Sequence, residues 1–168
     1  MGPQQSRFIE VVTSADWHVS DFDFSDDIVR VAYKLMAEFP DEAEGMTLEM
    51  ARASHASHEI HRLKNSIGVL YFIALKQDRL DIPSYRFISE IADCGSLPWT
   101  LRLRAVSIIA IGCRRLDHQE RTEMYSIVTS AINAIEEVIS KGSLDDNQAN
   151  RVFSEIRWSA FEKLIHRL

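Results

Sequence analysis

The sequence predicts an all-α fold: a helical bundle of about six helices, four of them long and with antiparallel neighbours, behind an extended or short-hairpin N-terminal arm. Three observations predict it. Apolar residues recur at spacings of three and four through most of the chain after residue 25, the segments so marked end in capping and stop residues, and Gly and Pro number only 6 and 4 among 168 residues. With 46% hydrophobic and 26% charged residues, the composition fits one globular domain over 26–168. A domain of this size buries roughly 70% of the surface of its unfolded chain, enough to fold without disulfides or a structural metal.

Taken in order, residues 1–25 form the arm. Phe8 to Thr13 is short and β-branched, and Asp16 to Phe24 alternates acids with aromatics, which suits an extended segment. Ser25 with Asp26 and Asp27 resembles an N-cap with acids in the first turn. The helix it opens carries Ile28, Val31, Leu35 and Phe39 and stops at Pro40. A continuous helix is expected from Thr47 to about Lys76, its seam formed by Ala53, Ala56, Ile60, Leu63, Ile67, Leu70 and Ala74. A short helix follows from Pro83 to Asp93 with Tyr85, Phe87, Ile88 and Ile91 inward. The next, Pro98 to about Arg115, is apolar on most sides. Its Val106 to Ile111 stretch also suits a strand, but no second strand pairs with it, so a helix is expected. Asp117 to Glu120 has capping-box spacing ahead of Met124, Val128, Ala131, Ile135 and Val138, and a last helix is expected from Ser143 to the end of the chain.

The net charge of −6 is unevenly spread. Residues 1–59 hold 12 acids and 4 bases, and residues 60–168 hold 13 acids and 15 bases, balances of −8 and +2. Sequence-independent nucleic-acid binding needs clustered bases, so it is not expected of this chain. The longest apolar run, Ala105 to Cys113, is about half of a membrane span. Two cysteines without CxxC spacing and no secretory signal point to a reducing cytoplasm, with Cys94 and Cys113 as small hydrophobes. Arg52 and His58 have the loose arginine-to-histidine spacing of some helical ribonucleases, a pattern too permissive to carry weight.

Two segments are candidate sites. The first is the arm, where Trp17, Phe22 and Phe24 interleave with Asp16, Asp21, Asp23, Asp26 and Asp27. Apolar anchors in a negative field suit docking on a partner protein with a basic surface. The alternative is that the aromatics cap the helical core while the acids stay in water. A further alternative is a basic counterpart in Arg102, Arg104, Arg114 and Arg115, with which the arm would instead pair within the molecule or across a homodimer.

The second is the helix around His61. Lying one residue past Ile60, His61 is turned about 100° from the seam, at the border of the buried stripe. Lys64 follows one turn later. The run His61-Arg62-Leu63-Lys64-Asn65-Ser66 resembles the acceptor-helix motif of two-component signalling, in histidine-phosphotransfer domains and in the dimerisation helix of one group of sensor kinases. The resemblance covers about ten residues and implies His61 as phospho-acceptor and Lys64 as the cation that stabilises the phosphate. Asn65 departs from it, standing where phosphotransfer domains usually carry a glycine. The same residues also suit the border of an ordinary amphipathic helix. His58-Glu59-Ile60-His61 spaces its histidines three apart, not four, which excludes the metalloprotease pattern, and His55 with Glu59 lacks a third ligand, so no metal is expected.

These observations point to a non-enzymatic helical interaction module, an adaptor, inhibitor or regulatory subunit with no cofactor. Histidine phosphotransfer through His61 is the alternative.

Overall fold

The structure is a computed structural model that describes residues 26–112 and 116–141 together with 2, 3 and 6–8. Among the described residues all regular structure is helical, so the all-α expectation holds. The helices are α1 (Asp26–Glu38), α2 (Ala43–Ala56), α3 (Ile60–Gln77), α4 (Ile82–Asp93), α5 (Trp99–Gly112) and α6 (His118–Lys141). They belong to two compact units, Met1–Leu80 and Asp81–Leu168. The helix expected after Ser143 lies outside the described residues, as does most of the arm.

In the first unit, α1 and α2 both pack on α3. Helix α1 buries Ile28, Val31, Ala32, Leu35 and Met36, one stripe at helical spacing, and Pro40 follows directly on buried Phe39. Asp26 and Asp27 sit in its first turn, where carboxylates favour the helix dipole. Helix α3, with neighbours on two sides, is buried without interruption from Asn65 to Leu70.

The helix expected over 47–76 is interrupted. Residues 57–59 close α2 with a Schellman turn, in which the Glu59 N–H donates to the Ser54 carbonyl at 2.9 Å and the His58 N–H to the His55 carbonyl at 3.2 Å. His58 takes the left-handed position at φ 59°, and the Ser57 hydroxyl donates to the Ala53 carbonyl at 2.9 Å. The interruption resets the register. Leu63, Ile67, Leu70 and Ala74 face the core as the spacing predicts, but Ala53 and Ala56 are exposed, and α2 buries Ala43, Thr47, Leu48, Ala51 and Ser54 in their place. Its buried hydroxyls are satisfied within the helix, Thr47 donating to the Ala43 carbonyl at 2.7 Å and Ser54 to that of Met50 at 2.8 Å.

His58 occupies the position where helices prefer glycine. A left-handed L-residue costs about 1–2 kcal/mol, while glycine costs about 0.5–1 kcal/mol in unfolded-state entropy. His58→Gly is therefore expected to stabilise the protein by about 0.5 kcal/mol, read as a raised urea midpoint at unchanged slope. His58→Ala keeps the Cβ and should bring no such gain.

In the second unit, α4, α5 and α6 pack pairwise against one another. Pro83 stands in the first turn of α4, whose Tyr85, Phe87, Ile88 and Ile91 are buried as expected. Helix α5 buries Leu101, Leu103, Ala105, Val106, Ile108, Ile109 and Ala110, and with a helix packed on two sides it has no need of a strand partner. The capping box of α6 forms as its spacing predicts. The Glu120 N–H donates to Asp117 Oδ1 at 2.8 Å, and the Asp117 N–H donates to Glu120 Oε2 at 3.0 Å. At the far end of α6, a hydrogen bond from Lys141 and then its charge hold the exposed Glu137 carboxyl below its ordinary pKa.

Candidate functional site

The surface around His61 is built by the turn that ends α2. Because residues 57–59 stop one helix and start the next, His61 falls in the first turn of α3 and is exposed to solvent. Beside it, Arg62 pairs with Glu59 at 3.2 Å, and Glu59 Oε1 accepts from the Ser57 hydroxyl at 3.1 Å. Lys64, one turn along α3, is half-buried. Leu63 and Ile67, on the opposite side of this turn, are fully buried, so the helix presenting His61 is seated on the core. Asn65 is buried too, at 6% exposure, and Ser66 back-bonds to the Arg62 carbonyl at 2.7 Å.

The interruption also separates the histidines. His55 is half-buried on α2, His58 lies in the turn, and His61 belongs to α3. His55 and Glu59, four apart in sequence, therefore do not share a helix. Among the described residues, no group of three or more His, Cys, Asp or Glu side chains is placed to hold a metal ion. Arg52 is exposed on α2.

Of the arm, Trp17, Asp21, Phe22, Asp23 and Phe24 lie outside the described residues, and Asp26 and Asp27 are described only in their backbone. The start of the chain is placed more closely. Residues 6–8 are helical, Phe8 is buried with its ring edge-to-face on Phe39 at 6.4 Å, and Arg7 pairs with Glu38 at 3.1 Å. The arm is expected to be extended or a short hairpin, and residues 6–8 of it instead form a helical turn that meets the end of α1.

Within the basic counterpart expected for the arm, Arg102 is not on the surface. Arg102 is 4% exposed, and its Nε donates to the Ala92 carbonyl at 2.9 Å. Arg104 is half-buried, and Arg114 and Arg115 lie outside the described residues. Helix α5 is apolar on so many sides that Arg102 turns inward to the end of α4. Cys94 is half-buried with its Sγ 3.2 Å from Ser96 Oγ, and Cys113 is outside the described residues.

Two surface features were missed by the sequence reading. Tyr33 on α1 and Leu75 on α3 are large apolar side chains left half outside. In the second unit, Arg86, Ser89, Glu90 and Asp93 of α4 face Glu123, Met124 and Ile127 of α6 across a cleft of about 310 Å³. At its floor the Ser89 hydroxyl lies 2.8 Å from Met124 Sδ. The i, i+3, i+4, i+7 spacing on α4 marks one helix face, but its partner is set only by packing.

No described helix is long and apolar enough to cross a membrane. Comparison with protein-family models, with curated proteins and with solved structures finds no match.

Proposed function

We propose that the protein is a non-enzymatic, cytoplasmic helical interaction module that docks on the basic surface of a partner protein through Trp17, Asp21, Phe22, Asp23, Phe24, Asp26 and Asp27. The observation that carries this reading is the double anchorage of the arm. Phe8 and Arg7 are fixed at the C-terminal end of α1 and Asp26 begins its N-terminal end, so the acid-and-aromatic segment joins two fixed points on one helix. A recognition segment tethered at both ends loses less entropy on binding than a free tail.

The test compares wild type with Asp21→Lys plus Asp23→Lys in affinity capture from the native host, followed by mass spectrometry. These two acids lie before α1, so the helix dipole is untouched, whereas reversal at Asp26 or Asp27 would also cost about 0.3–1 kcal/mol of helix stability each. The variant should weaken a specific complex by on the order of tenfold, equivalent to about 1.4 kcal/mol, at unchanged helicity. Equal capture by both proteins overturns the reading.

The exposure of His61 on a core-seated helix favours a second reading, phosphotransfer through that histidine with Lys64 offsetting the phosphate charge. It predicts an acid-labile phosphate after incubation with phosphorylated receiver domains, abolished by His61→Gln. A chain that takes up no phosphate from any receiver removes it.

A further inference from the structure

The cleft of about 310 Å³ between α4 and α6 has a fixed floor and charged walls. Its floor is made by Ser89 and Met124, both buried. The Ser89 hydroxyl donates to the Tyr85 carbonyl at 2.7 Å and lies 2.8 Å from Met124 Sδ, so both floor side chains are held in place before any ligand arrives. Ile127, half-buried on α6, extends the apolar lining.

The walls set three carboxylates against one guanidinium. Glu90 and Asp93 line the cleft from α4 and Glu123 from α6, all three on exposed residues, while Arg86 stands on the α4 wall. Arg86 and Asp93 are about 10 Å apart along the helix axis, so this wall is positive at one end and negative at the other. Carboxylates on both walls suit a cation held between them, and methionine and isoleucine beneath suit an aliphatic stem. An arginine side chain meets both demands. Its flat guanidinium donates in several directions at once, which lets it bond to carboxylates on opposite walls, and it sheds water more readily than an ammonium. The volume lies at the lower end of the range for ligand pockets and leaves room for one long side chain, whereas a helix with its side chains is about 10 Å across.

We propose that the cleft between α4 and α6 is the docking site for an arginine side chain presented by an extended segment of a partner protein. Its guanidinium lies between Glu90, Asp93 and Glu123, and its stem lies over Met124 and Ile127. Arg86 repels the guanidinium and so sets the end of the cleft that it occupies. The site shares no residue with the arm and does not depend on the arm's role.

The test uses the full chain labelled with ¹³C-methyl methionine and read by NMR, the Met124 methyl being assigned through Met124→Leu. The probe is the peptide acetyl-Ala-Arg-Ala-amide, and the same peptide with citrulline in place of arginine is its neutral counterpart. The arginine peptide should shift the Met124 methyl saturably and leave the methyls of Met36, Met46 and Met50 in place, and the citrulline peptide should bind at least about tenfold more weakly. Glu90→Gln plus Glu123→Gln, both at exposed positions, should weaken the arginine peptide by about tenfold or more. Arg86→Gln should tighten it, and Glu49→Gln, an exposed acid on α2, should change nothing. A Met124 methyl that ignores the arginine peptide, or answers the citrulline peptide equally, overturns the proposal. Equal weakening by Glu49→Gln also overturns it, since the attraction is then to the net charge of the chain. So does tighter binding of butylguanidine than of the peptide, because the cleft then takes a free guanidine and not a partner's side chain. Capture through Asp21 and Asp23 succeeds or fails without bearing on these shifts.

Discussion

Ile67→Ala is expected to destabilise the protein by about 2–5 kcal/mol, the range for truncating a fully buried aliphatic side chain. Ile67 has no exposed surface and lies in the stretch of α3 that is buried without interruption from Asn65 to Leu70. Because both α1 and α2 pack on α3, neither neighbour can collapse into the vacated space without leaving the other, which places the expected cost in the upper half of that range. Urea unfolding followed by circular dichroism measures it. Gln77→Ala on the same helix is the control, since Gln77 is exposed and its truncation should change stability by no more than about 0.5 kcal/mol. Equal effects at the two positions would mean that α3 is not the central helix of its unit.

Arg102→Met is expected to cost about 1–3 kcal/mol, and here two terms oppose. Methionine relieves the burial of a guanidinium and keeps much of the aliphatic stem, which taken alone would stabilise. It also removes the bond to the Ala92 carbonyl, which lies in the last turn of α4 where no helical N–H follows to accept from. An unsatisfied acceptor at a buried position outweighs the relief, because the arginine stem already packs as methionine would. Faster amide exchange in the last turn of α4 should accompany the loss of stability. Wild-type stability in this variant would mean that the cost of burying the charge cancels its bond. Arg102→Lys should not restore the wild type, since a single ammonium lacks the Nε donor geometry.

How far each feature was legible depends on the range of the interaction behind it. The capping box of Asp117 and Glu120, the stop at Pro40 and the inward stripe of α1 depend on residues within one or two turns, and each forms as its spacing predicts. The core half of α3 follows the same logic, since Leu63, Ile67, Leu70 and Ala74 keep a three-and-four spacing that only one helix face satisfies. The interruption at 57–59 was hidden because it uses neither glycine nor proline. A histidine holds the left-handed position, supported by the backbone bonds of the Schellman turn and by the Ser57 hydroxyl. For the candidate site, this interruption decides what His61 is: a residue in an exposed first turn, parted from the histidines that precede it.

By itself the sequence determined the helical class, the ends and inner faces of most helices, and the concentration of negative charge in the first third, all properties of local spacing and composition. Only the tertiary structure decided that Arg102 turns inward and that Tyr33 and Leu75 stay half outside. The physical reason is that a helical pattern says which residues share a face, while the burial of that face depends on whether another helix arrives to cover it. Helix α5 is covered by two neighbours, so even Arg102 is enclosed and donates to a carbonyl. On α1, by contrast, Tyr33 keeps about half of its surface exposed, with Lys76 of α3 over its ring.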